Sequence, residues 1–369
     1  MGYQISDVCK LGKRINNLKR NYLLVNPLQG KHIPASPTAS YNLFRSLGDK
    51  LHSDAENADL IIGFAETATA VGAIAAMAFS DNTIYLHSTR ETLDMDQYIC
   101  FREEHSHAIN HCLDSTVFSD LRNGTVILID DEISSGNTAV NMINALKSKF
   151  PHMKNCRYIV GSIINRMSSD RISELRSEGI EFESLVWDSS DYRSVFSNDN
   201  AVEDPSDIIC RNDDLNIDIV ESSIPNLRRG MTVKTIKDDM RSFSVHICKC
   251  LNDLFLAGKD VAIIGTEECM TAAIAAGCQI ENSFSGINVK THSTTRSPIG
   301  ISSKNNYPCT NGISLPSFYE NGRKTYIYNI GNYDTVVVVT DSKNDQCTMN
   351  AMSYIREAFK PQNLVLVRG

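Results

Sequence analysis

Val126-Ile127-Leu128-Ile129-Asp130-Asp131-Glu132-Ile133-Ser134-Ser135-Gly136-Asn137-Thr138 is the stretch on which the fold turns. Four apolar, mostly β-branched residues in a row read as a buried parallel strand. Two adjacent acids stand at its carboxyl end, where open α/β sheets place their ligands. The following turn is built of small hydroxyl residues and Gly136, and the run Ala139 to Leu146 has helical character. Successive backbone N–H groups, the hydroxyls of Ser134, Ser135 and Thr138, and the positive end of the helix dipole can converge there on one phosphate. The acids then lie about one sugar ring away.

Outward from this stretch, short β-branched runs recur at helical separations: Leu60-Ile61-Ile62, Ile84-Tyr85-Leu86, Tyr158-Ile159-Val160, Val261-Ala262-Ile263-Ile264 and Val336-Val337-Val338-Val339. Their spacing predicts an α/β fold whose mainly parallel sheet is flanked by helices. From about Asp188 to Glu221 the rhythm breaks into Asp, Asn and Ser, which reads as an acidic connection with one short strand near Leu215 to Val220. A chain of 369 residues supports two domains. The expected division is 1–190, a connection over 191–224, and 225–369.

The two halves resemble each other in three blocks kept in order. Ile61-Ile62-Gly63, Glu66, Thr69, Ala70 and Ala73 match Ile263-Ile264-Gly265, Glu268, Thr271, Ala272 and Ala275. His87-Ser88-Thr89 then matches His292-Ser293-Thr294, and Val126 to Ile129 with Asp131 and Thr138 matches Val336 to Val339 with Asp341 and Thr348. Thr340 stands opposite Asp130, and Gln346 opposite Gly136, so the second half reads as a degenerate duplicate without the phosphate turn.

A net charge of -8 argues against a broad grip on nucleic acid. No apolar run approaches the length of a membrane helix, and the N-terminal residues lack the apolar core of a signal peptide, so a cytoplasmic location is expected. Eleven cysteines contain no C-x-x-C and read as reduced packing thiols. Glu103, His107 and His111 would share one face if their segment were helical, a weak metal signal.

A phosphate cradle with two carboxylates one ribose away resembles the 5-phosphoribosyl-1-pyrophosphate (PRPP) motif of type I phosphoribosyltransferases. With Gly63-Phe64-Ala65-Glu66-Thr67-Ala68-Thr69, His87 to Arg90 and the segment around Glu103 to His107, the first half resembles the orotate phosphoribosyltransferase-like family of bacterial tellurium-resistance and stress gene clusters. The tetrapeptide Thr295-Arg296-Ser297-Pro298, preceded by Ile263 to Met270, resembles the TRSP domain attached to that family.

This resemblance implies a type I phosphoribosyltransferase fold followed by a second α/β domain, and transfer between PRPP and a nitrogenous base, or its pyrophosphorolytic reverse, in making a nucleoside-like metabolite. It implies that Asp130 and Asp131 hold the ribose hydroxyls, and that Glu132, Ser134, Ser135, Gly136, Asn137 and Thr138 hold the phosphate side. Gly63, Phe64, Ala65, Glu66 and Thr67 take the pyrophosphate, and Arg90 and Arg102 neutralise it. Lys31, His32, His105, His107, Thr295, Arg296 and Ser297 are candidates for the hood or the acceptor. Mg²⁺ enters with PRPP near Asp130 and Asp131, the protein alone supplying no metal site. The partners implied are small molecules, with a homodimer left open and neither nucleic acid nor membrane expected. A non-catalytic sensor of a phosphoribosyl ligand is the alternative, because this fold is reused by regulators.

Overall fold

The computed structural model describes residues 2–15, 21–91, 98–101, 111–119, 121–196, 202–210 and 215–369. These form two compact units, neither contiguous in sequence. The first comprises Met1–Ile5, Asn42–Ser190 and Pro225–Asp239, the second Ser6–Tyr41, Asp191–Ile224 and Met240–Gly369.

The first unit is built on a six-stranded sheet in the order Met231–Thr232, Ile84–His87, Leu60–Gly63, Thr125–Ile133, Arg157–Asn165, Ile180–Trp187. All neighbours are parallel except the short Met231–Thr232 strand. Val126 to Ile129 are fully buried, as a strand covered on both faces requires. The helix Asn137–Lys149 buries Ala139, Met142, Ile143 and Leu146, a single stripe at helical spacing. Thr69–Ala76, made of small and β-branched residues, is buried along its whole length. It lies so close to the sheet that a Cβ at Gly72 would stand 3.0 Å from the Gly63 Cα, a crowding that glycine avoids.

The second unit holds a five-stranded parallel sheet in the order Asp218–Glu221, Asn363–Arg368, Thr335–Thr340, Asp260–Gly265, Asn288–Ser293. The stretch expected as an acidic connection supplies two strands here. Asp218–Glu221 pairs with Asn363–Arg368, and Ser206–Asp207 pairs with Gly312–Pro316. Helix Asp345–Phe359, capped by Asn344 accepting from the Cys347 amide at 3.0 Å, buries Ala351, Met352, Ile355 and Phe359 against Val336, Val338 and Leu366.

Each sheet places its central strands in the same relative order, and the hydrogen-bond register sharpens the internal match. Gly63 pairs with His87, whereas Gly265 pairs with Ser293. His87 therefore corresponds to Ser293 and not to His292, so the second matching block is out by one residue. Corrected in this way, Arg90 and Arg296 occupy like positions, each following a threonine bridged to a neighbouring strand, Thr89 to Cys112 and Thr295 to Tyr326.

One sequence expectation about cysteine fails. Cys100 and Cys112 form a disulfide across the hairpin of strands Tyr98–Phe101 and His111–Asp114, where they are direct cross-strand partners. The other nine cysteines are free thiols.

Candidate active site

Strand Thr125–Ile133 runs past the edge of its apolar core and carries Asp130, Asp131 and Glu132 into half-buried positions. The Asp131 amide donates to Asp130 Oδ1 at 2.9 Å, which orients the first carboxylate back along the strand. Thr67 Oγ1 donates to Asp131 Oδ1 at 2.7 Å, tying the second acid to the turn after the neighbouring strand. Glu132 faces away toward Arg166, its Oε1 lying 3.8 Å from the guanidinium.

Beyond the acids, Ser134 and Ser135 are exposed and Gly136 is buried. Gly136 precedes helix Asn137–Lys149 with φ +77°, and a Cβ there would meet Met167 Sδ at 3.0 Å. Both facts demand glycine. The turn thus presents two hydroxyl residues at a helix amino end, the arrangement that suits an oxyanion. Arg171 braces it, donating to the Ser135 carbonyl at 3.2 Å and to Asn137 Oδ1 at 2.9 Å. Reading the sequence alone missed Arg171, because it belongs to a helix more than thirty residues downstream and carries no local motif.

The turn from Gly63 to Ala68 is pinned by main-chain bonds. The Phe64 amide donates to the Ile129 carbonyl at 3.0 Å, and the Ala65 amide to Ser88 Oγ at 2.9 Å. These two amides, expected to face a leaving group, hold the turn in place instead. The Ala65–Glu66 peptide is cis, and Glu66 is buried. Tyr85, its hydroxyl pushed well above the ordinary tyrosine range by burial, stays protonated and donates to the Thr69 carbonyl at 2.8 Å.

On the other flank a polar chain begins at Ser88. Its Oγ lies 3.1 Å from His111 Nδ1, and Arg90 Nε donates to His111 Nε2 at 3.0 Å. Because Nε2 accepts, the neutral ring carries its proton on Nδ1 and donates it to Ser88. His111 is not on a helix: it begins strand His111–Asp114, is buried, and stacks on Phe101 at 5.4 Å. The shared-face metal reading therefore loses that residue. Arg228 is also buried, and its Nε donates to Thr89 Oγ1 at 3.3 Å, which brings a second arginine to this flank.

The first unit therefore gathers Gly63 to Thr67, Arg90 and Asp130 to Thr138. Arg102, His105 and His107, with Glu103, lie outside the described residues. Lys31 and His32 belong to the second unit, where Lys31 Nζ donates to the Glu267 carbonyl at 2.7 Å and His32 packs 5.7 Å from the Tyr328 ring. Thr295, Arg296 and Ser297 are there too, with Thr295 buried and Arg296 bound to Glu267. Among the described residues no three His, Cys, Asp or Glu side chains converge as a metal site, and no helix is long and apolar enough to cross a membrane.

The PRTase_2 family, described as phosphoribosyl transferase, matches residues 8–185, and the TRSP domain, described as lying C-terminal to PRTase_2, matches 228–355. This is a chain of the PRTase_2–TRSP family. Its first unit has the mixed α/β architecture of a type I phosphoribosyltransferase, with the candidate site at the carboxyl ends of the parallel strands. Solved structures similar to the PRTase_2–TRSP chain include the orotate phosphoribosyltransferase of Aeropyrum pernix, 14% identical, covering 48% of this chain and 87% of that one at a TM-score of 0.32. The adenine phosphoribosyltransferase of Leishmania donovani is 14% identical, covering 53% and 84% at a TM-score of 0.37. That of Thermoanaerobacter pseudethanolicus is 12% identical, covering 50% and 97% at 0.36. No curated protein matches the PRTase_2–TRSP chain in sequence.

Proposed function

We propose that the chain transfers a phosphoribosyl group between PRPP and a nitrogenous base, or runs the reverse pyrophosphorolysis, in making a nucleoside-like metabolite connected with tellurium resistance or stress. The observation that carries this reading is the Asp130–Asp131 pair at a strand end, one carboxylate held by Thr67, followed directly by the Ser134 to Thr138 turn. In this reading 1–190 is the phosphoribosyltransferase domain, 191–224 a connection and 225–369 the TRSP domain.

Ser134, Ser135 and Thr138, with the amides around Gly136, hold the 5′-phosphate, and Arg171 keeps that turn from opening. Asp130 and Asp131 accept from the ribose hydroxyls and stabilise the positive charge that grows on the ring as the glycosidic bond loosens. Arg90, steadied by His111, faces the negative charge that builds on the departing pyrophosphate. Oxygen donors such as these two carboxylates fit Mg²⁺, which when bound with PRPP supplies charge neutralisation at the leaving group.

The test is incubation with Mg²⁺, PRPP and a panel of bases, assaying released pyrophosphate. Asp131→Asn should abolish transfer while the circular dichroism spectrum stays native, because the lost interaction is strongest in the transition state. Wild-type turnover in that variant removes the reading. Tight PRPP binding with no pyrophosphate release from any base identifies the sensor instead.

A further inference from the structure

The second unit repeats the frame of the candidate site bond for bond, then places a carboxylate where the first unit has the small side chain of Ala65. In the first unit the Ser88 amide donates to the Gly63 carbonyl at 2.9 Å, and Ser88 Oγ accepts from the Ala65 amide at 2.9 Å. In the second, the Thr294 amide donates to the Gly265 carbonyl at 3.1 Å, and Thr294 Oγ1 accepts from the Glu267 amide at 2.9 Å. Glu267 thus stands where Ala65 stands, as Arg296 stands where Arg90 does.

The Glu267 carboxylate is fully buried and held on every side. Arg296 Nε donates to Oε2 at 2.7 Å, Arg323 NH2 lies 3.3 Å from the same oxygen, and Ser317 Oγ donates to Oε1 at 2.6 Å. Both arginine side chains are nearly enclosed, at 11% and 12% exposure. Two guanidinium groups and a hydroxyl around one carboxylate are the donor set that recognises a phosphate-type oxyanion. Lys31 adds a third enclosed cation, donating to the Glu267 carbonyl. Glu320 on Arg323 at 3.0 Å and Glu268 at 3.9 Å from Arg296 balance two of these three charges, and Asp341 is engaged apart by the Tyr319 hydroxyl at 2.6 Å. Glu267 balances the third. Its backbone sits at φ +45°, a left-handed conformation costly for any residue but glycine. An apolar filling would cost less than a buried ion cluster, so stability alone does not account for this one.

We propose that the second unit carries its own oxyanion seat, made by Arg296, Arg323 and Ser317, and that the Glu267 carboxylate occupies it as an internal stand-in for a phosphate-type ligand. The comparison of frames rests on the phosphoribosyl reading of the first unit, but the seat itself does not.

Isothermal titration of the full chain with pyrophosphate tests it. Wild type should bind one pyrophosphate per chain, in the first unit, and Glu267→Gly, which takes the side chain out of the seat and suits the left-handed backbone, should bind two. If wild type binds none and Glu267→Gly binds one, the seat is upheld and the phosphoribosyl reading of the first unit fails. An unchanged count in Glu267→Gly overturns the seat. The melting temperature of Glu267→Gly should also rise more with millimolar pyrophosphate than that of wild type. A glycine variant that gains no extra stabilisation, or stays unfolded with pyrophosphate present, overturns the proposal as well. Adding Arg296→Ala to Glu267→Gly should abolish the gained site, and its persistence would place the anion elsewhere and overturn the assignment.

Discussion

Thr67 joins two neighbouring strand ends through one hydroxyl, and its value lies in the direction it gives Asp131. A hydrogen bond to a charged group contributes about 1.5–3 kcal/mol, and each 1.4 kcal/mol of lost alignment is about tenfold in rate. Thr67→Val should therefore lower kcat of phosphoribosyl transfer about tenfold or more, with Thr67→Ser restoring most of it. A change confined to KM would mean that the hydroxyl serves binding alone. Gly136 answers to a different constraint, its left-handed backbone and the 3.0 Å approach of Met167 Sδ to any added Cβ. Gly136→Ala should destabilise the first unit by about 1–2 kcal/mol from the backbone alone, read as a lower urea midpoint. An unchanged midpoint would show that the turn adopts another path. Both residues lay within the motif visible in the sequence, because the phosphate turn is a local pattern. Arg171 did not, since its partners Ser135 and Asn137 lie more than thirty residues away in the chain and only folding brings them together.

At the level of elements, the strand positions were legible and their registers were not. A run such as Val126 to Ile129 declares its burial by composition alone. Which residue faces which across a sheet depends on the hydrogen bonds of both strands, and a three-residue match at His87 to Thr89 carries no such information; hence the slip by one that the pairing of Gly265 with Ser293 corrects. The hairpin of Tyr98–Phe101 and His111–Asp114 shows the same limit. Two cysteines twelve residues apart make no recognisable pattern until the strands align them as partners. Alkylation of the unfolded, unreduced chain should modify nine cysteines, against all eleven after reduction. Eleven labels without reductant would show that the pair is not joined. Within 188–221 the short strand near Val220 was legible, but its pairing with Asn363–Arg368 was not, and the exposed two-residue strand Ser206–Asp207 has too little apolar content to show in an acidic stretch.

Over the whole molecule, acid sensitivity follows from a buried imidazole. His292 accepts from the Ser293 amide at Nδ1, 2.8 Å away, and meets the Tyr328 carbonyl at 2.5 Å through Nε2, so the neutral ring satisfies both neighbours. Burial first, and then the nearby Lys31 charge, push its pKa down to about 4 from an ordinary value of 6.5. Between those values the unfolded chain binds a proton that the folded one refuses, so stability rises with pH across that window. It is fully present above about 6.5 and falls as the pH drops toward 4, by up to about 3 kcal/mol at the lower end. The melting temperature should decline between about pH 6.5 and about pH 4.5, and His292→Gln should flatten that slope. An equal slope in the variant would assign the effect to other groups.

The two sheets differ in how the growing polypeptide can complete them. In the first, Ile180–Trp187 joins Arg157–Asn165 soon after both have left the ribosome. In the second, Asp218–Glu221 has no sheet neighbour until Asn363–Arg368 has been translated. At about 5–20 residues per second that is a delay of roughly ten to thirty seconds. Through that interval the nascent chain carries a strand awaiting its mate, the period in which a holding chaperone would have most to protect.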